Sequence, residues 1–116
     1  MHGKPIKQQV RYALWRLGKT PEEVAANLEL GGWLGLRHDA GACPVARYLA
    51  AVLPNASGAE VSRYEAAVLF TDRPDVEANL PRAVADFIEA FDDGAFPELV
   101  AQDTDANGDV IDDADR

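Results

Sequence analysis

One cysteine in 116 residues leaves no partner for an intrachain disulfide, and a lone thiol fits a reducing compartment. No run of apolar residues approaches the roughly 18 that a membrane-spanning helix needs, so no membrane association is expected. The N-terminal stretch MHGKPIKQQVRYALW has neither the apolar core nor the small-residue cleavage site of a secretory leader, which points to a cytoplasmic protein. Two His and one Cys are too few for an ordinary structural zinc site. There is no Gly-rich phosphate loop with its Lys, no Gly-x-Ser-x-Gly and no His-Glu-x-x-His, so the best-known phosphoryl, acyl and metalloprotease signatures are missing and no cofactor is expected.

Positive charge is also scarce. Eleven Lys and Arg face twenty Asp and Glu, a net charge of -9. The imbalance is uneven: residues 1–48 carry +3, residues 49–85 carry -2 and residues 86–116 carry -10. An acidic total argues against general coating of nucleic acid. The N-terminal part is left basic, available to an anionic partner or to the chain's own acidic end.

What is present is an ordinary apolar complement, 47%, enough for one core in a chain of this size. The centre of organisation is Gly31–Leu53, GGWLGLRHDAGACPVARYLAAVL. A Gly-rich loop carrying Trp33, Leu34 and Leu36 is expected to fold back onto a core. It ends at Cys43-Pro44, where a helix begins, because Pro suits the first helical position.

In chain order, Ile6, Val10, Ala13, Leu14 and Leu17 recur at helical spacing and predict a helix over 4–17, ended by Gly18. Lys4, Lys7, Arg11 and Trp15 share a neighbouring face of it. Thr20-Pro21-Glu22-Glu23 predicts a capped helix start, with that helix stopping by Gly31-Gly32. Its sequence PEEVAANLELG resembles the first helix of a helix-turn-helix DNA reader, but the glycines that follow oppose a second helix there. A third helix is expected over Pro44–Leu53, and Asn55–Gly58 reads as a turn. Val61, then Ala66, Val68 and Phe70, then Val76, Ala78 and Leu80 alternate in short runs and predict a three-stranded antiparallel meander. Val84, Phe87, Ile88 and Phe91 predict an amphipathic helix over Pro81–Phe91, packed on that sheet. The expected architecture is therefore α+β: three N-terminal helices, a small three-stranded antiparallel sheet and one C-terminal helix. It forms a single domain over 1–101, followed by an acidic, polar and mobile segment over 102–116.

Two groups carry possible chemistry. Cys43, at a helix N-terminus, has His38 as a potential base and Asp39 to orient it, the outline of a Cys-dependent enzyme or redox protein. Asp103, Asp105, Asn107, Gly108 and Asp109 resemble an EF-hand or thrombospondin-type calcium loop, matching its first, third, fifth and sixth positions. Ala114 stands where that loop needs its bidentate Glu, which leaves at most weak calcium binding or an acidic module mimicking nucleic-acid charge.

The strings TPEEVAANLELGGWLG, CPVARYL and VADFIEAFDDGAFPELV, spanning residues 20–100, resemble a group of small proteins of high-GC actinobacteria and their phages. That resemblance brings no activity with it; it implies a small cytoplasmic, non-catalytic protein. The leading functional expectation is an interaction or regulatory protein with a protein partner and no catalytic residues. Trp15, Trp33, Arg37, Tyr48, Lys7 and Arg11 are the expected docking residues, since Trp, Tyr and Arg are favoured interface anchors.

Overall fold

The computed structural model describes residues 5–101 and, as backbone, 103–104 and 110–111. The order is α1 (Ile6–Trp15), α2 (Pro21–Gly31), α3 (Pro44–Val52), β1 (Ala56–Val61), β2 (Glu65–Phe70), β3 (Val76–Asn79), α4 (Arg82–Asp92), a 3-10 turn at Pro97–Leu99, then β4 (Asp103–Thr104) and β5 (Val110–Ile111). The α+β architecture read from the sequence is the one observed, three helices preceding an antiparallel β1-β2-β3 sheet and a helix following it.

Local chemistry explains the boundaries. Pro5 precedes α1 and lends it a fixed φ. At α2 the Thr20 hydroxyl accepts the Glu23 N–H at 3.1 Å, and the Glu23 carboxylate accepts the Lys19 N–H at 2.9 Å. Gly32 closes α2 with φ +76, a left-handed conformation that suits a residue without a Cβ. No helix-turn-helix follows: α2 ends at Gly31, the next helix starts only at Pro44, and the stretch between is irregular.

The sheet has one covered face. Val61, Ala66 and Ala78 align across its strands, as do Ala59, Val68 and Val76. α3 packs against β1 and β2, and α1 against β3. The alternate row, Glu60–Ala67–Glu77, turns its two carboxylates outward. The expected turn at Asn55–Gly58 is instead mostly strand. Ala56 pairs with Phe70 and Gly58 with Leu69, and the extra residue between them is absorbed by a bulge. Asn55 alone, at φ 64, supplies the sharp change of direction.

α4 presents the predicted apolar stripe, but α2 rather than the sheet is its main neighbour. Phe87 stacks on Phe91 with centroids 5.7 Å apart and on Phe96 at 5.3 Å. Together with Leu14, Leu28, Leu49 and Leu99 the first two form the fully buried centre. β4 and β5 pair antiparallel, Asp103 with Ile111 and Thr104 with Val110, and the β-branched Thr104, Val110 and Ile111 favour that extended backbone. The calcium-loop reading of Asp103, Asp105, Asn107 and Asp109 rests on side chains outside the described residues.

Candidate functional site

The structure separates the six expected docking residues into four places. Trp15 projects from α1 with 58% of its surface exposed. Tyr48, on α3, is half-buried, and its hydroxyl donates to the Ala13 carbonyl at 2.8 Å. Burial raises its pKa above the ordinary value, while the nearby Arg16 charge opposes that rise. Trp33 is half-buried against the core, its ring edge-on to Tyr48 at 6.3 Å, so the Gly-rich loop does fold back as expected. Lys7 and Arg11 face away from these, into a groove they share with Glu65 and Glu77 of the sheet. The basic face of α1 thus meets acidic neighbours within its own chain. Arg37 points to the end of α4, where its guanidinium donates to the carbonyls of Phe91, Gly94 and Ala95 at 2.7, 2.9 and 2.9 Å. It lies 5.1 Å from the Phe91 ring centroid as well, so this side chain is committed to holding the fold.

Two residues that the sequence reading passed over complete the surface around Trp15. Tyr12 is 52% exposed and stacks on Trp15 with centroids 6.1 Å apart. The Arg16 guanidinium sits 5.8 Å from the Tyr12 ring centroid and has no carboxylate partner among the described residues. Tyr12, Trp15 and Arg16 stand at i, i+3 and i+4, so helical spacing already placed them side by side. Beside this trio lies a groove of about 530 Å³ between α1 and α3. Its walls include Tyr12, Arg16, Asn27, Tyr48, Val52 and Pro54. Asn27 is fixed there by donating to the Leu17 carbonyl at 2.7 Å. The groove mixes apolar walls with the polar side chains of Gln9 and Asn27, Arg16 is its one charged group, and its dimensions suit a few side chains of a bound segment.

A second cavity, about 480 Å³, includes His38, Asp39, Cys43, Arg63, Glu89 and Asp92 in its lining. His38 adopts φ 58 and its backbone N–H donates to Asp92 Oδ1 at 2.9 Å. Cys43 is buried and caps α3, its Sγ accepting the Ala46 N–H at 3.4 Å. No hydrogen bond joins Cys43 to His38. Burial pushes the Cys43 thiol from 9.0 up to about 11, outweighing the backbone N–H groups of Ala46 and Val45 that pull it down. The cavity therefore holds a neutral thiol rather than an activated nucleophile. Among the described residues no cluster of His, Cys, Asp and Glu has the arrangement of a metal site.

A measurable consequence follows from that thiol. The unfolded chain loses the Cys43 proton first as pH rises, so stability from this group is intact below pH 9 and declines between 9 and about 11. Cys43→Ala is expected to flatten that part of the alkaline limb of a urea-denaturation series. At pH 8 the folded thiol is expected to react with iodoacetamide about 100-fold more slowly than an ordinary cysteine from its thiolate fraction alone. Alkylation as fast as that of free cysteine would contradict this environment.

Comparison of the chain with protein-family models, with curated proteins and with solved structures finds no match in any of the three.

Proposed function

We propose that this chain is a small, non-catalytic intracellular protein that works by binding a protein partner, and that the partner docks on the outward face of α1 and the groove beside α3. The observation that carries this reading is the Tyr12–Trp15 pair. Two large aromatic side chains, each more than half exposed, are held against one another on a rigid helix. Exposing them forgoes the burial that either ring would gain in a core. Aromatic residues and Arg are the residue types that most often dominate binding energy when a partner covers them. Tyr12 continues with Tyr48 and Val52 into the groove, so the patch it shares with Trp15 adjoins a shaped site rather than standing alone.

The test is affinity capture from host lysate with the wild-type chain, a Tyr12→Ala/Trp15→Ala double variant and Leu30→Ala. Leu30 is 86% exposed on α2 and serves as an apolar control outside the groove. A single partner retained by wild type and Leu30→Ala, and lost from the double variant, is the expected pattern. Its dissociation constant should rise at least about tenfold in the double variant, the loss of one or more interface anchors. Equal retention by all three chains would remove this surface from the function.

A further inference from the structure

We infer that the groove between α1 and α3 receives an acidic segment of a partner protein, one that sets an aliphatic or aromatic side chain between Tyr12, Tyr48 and Val52 and brings a carboxylate to Arg16. This rests on the docking reading above and names the chemistry of the partner.

Charge distribution selects the ligand class. The groove lining contains one charged group, Arg16, and no acid. Its guanidinium lies over the Tyr12 ring with no carboxylate partner among the described residues, whereas Arg63, Arg73 and Arg82 all have one. Just past the end of α1, Arg16 is followed by Lys19, and α1 itself has no acidic residue. In a chain of net charge -9, this is the end toward which an anionic segment is steered, while the surfaces around Asp39, Asp92 and Asp93 repel it. A guanidinium lying over an aromatic ring keeps its edge N–H groups available for a carboxylate, and the planar fork suits two-pronged contact. Tyr12, Tyr48, Val52 and Leu53 supply apolar contact beside it. A nucleic acid is disfavoured on the same map. Lys7 and Arg11, which would have to extend a phosphate track from Arg16, face Glu65 and Glu77, and the whole chain repels a polyanion.

The experiment selects random peptides displayed on phage against the full-length chain at low ionic strength, then titrates the enriched peptides, made synthetically, against wild type, Arg16→Glu and Tyr12→Ala/Trp15→Ala. Enriched sequences should place Asp or Glu within a few residues of an aliphatic or aromatic residue. Arg16→Glu should weaken them about tenfold, a change of sign at a partly exposed pair. Replacing the peptide's acid by Lys should restore binding to Arg16→Glu but not to wild type. Arg16 is exposed, and a matching circular dichroism spectrum and thermal melt for Arg16→Glu confirm that the variant folds. Enrichment of neutral or basic peptides, or affinity indifferent to Arg16, overturns the acidic assignment. If those peptides still depend on Tyr12 and Trp15, the docking surface stands without it. Peptides indifferent to both aromatics, or no enrichment over the double variant, overturn both. Tighter binding of a single-stranded oligonucleotide than of any peptide, or Arg16-dependent dimerisation in sedimentation velocity, would assign the groove to a different occupant and overturn the inference.

Discussion

Gly35→Ala is expected to lower stability by about 3 kcal/mol, with a fall in melting temperature of roughly 10–20 °C for a domain of this size. A Cβ at this position would lie 2.4 Å from the Pro44 nitrogen, 2.5 Å from the Ala42 oxygen and 2.5 Å from the Cys43 carbonyl carbon. All three are backbone atoms, so no side chain can swing aside. Gly35 is also pinned from its other side. Its N–H donates to Leu99 at 2.9 Å, its carbonyl accepts from Ala101 at 2.7 Å, and it forms a parallel bridge with Val100. The Gly-rich loop thus passes between the start of α3 and the segment after α4, and only a residue without a side chain fits. Gly41→Ala is the control, because its nearest neighbours would be 3.9 Å from the new methyl. Thermal melts of the two variants should differ by the full amount. Equal melting temperatures would mean that the loop does not thread this gap.

Arg37→Ala is expected to cost about 2 kcal/mol, the second largest effect. The end of a helix leaves carbonyls without intrahelical partners. Here the Arg37 guanidinium reaches across from the loop to serve Phe91, Gly94 and Ala95 together, over a separation of more than fifty residues in sequence. Charge-assisted bonds of this kind contribute more than neutral ones, and the positive group also opposes the negative end of the α4 dipole. Arg37→Lys keeps the charge but loses the planar fork, so it should recover only part of the loss. Urea midpoints for the two variants check the order. If Arg37→Ala matched wild type in stability but lost a partner, the side chain would belong to the docking surface instead.

The layers of the fold were legible where periodicity was strong. Val84, Phe87, Ile88 and Phe91 marked α4, Thr20-Pro21-Glu22-Glu23 marked the start of α2, and the alternation from Val61 to Ala78 marked the strands. Two things were hidden. Asn55–Gly58 has turn composition, yet a bulge lets most of it pair with β2, because cross-strand partners outweigh local preference. The main neighbour of α4 was invisible too, since an apolar stripe states that a face is covered but not by what. Tyr48 lines the groove together with Tyr12, Trp15 reaches it only by stacking on Tyr12, and Arg37 donates to carbonyls at the end of α4, fifty-odd residues away in sequence. Tyr12 and Arg16, at helical spacing from Trp15, were readable all along. They were outcompeted by a basic stripe whose Lys7 and Arg11 face the sheet's own glutamates.

The most direct test of the docking surface is hydrogen–deuterium exchange of the full-length chain, alone and with the partner it captures. Added protection is expected in residues 9–17 and 48–54, which carry the aromatic pair and walls of the groove, with the stretches around the acidic cavity unchanged. Protection confined to residues 38–43 and 88–93 would place the partner at Cys43 and His38 and contradict this docking surface.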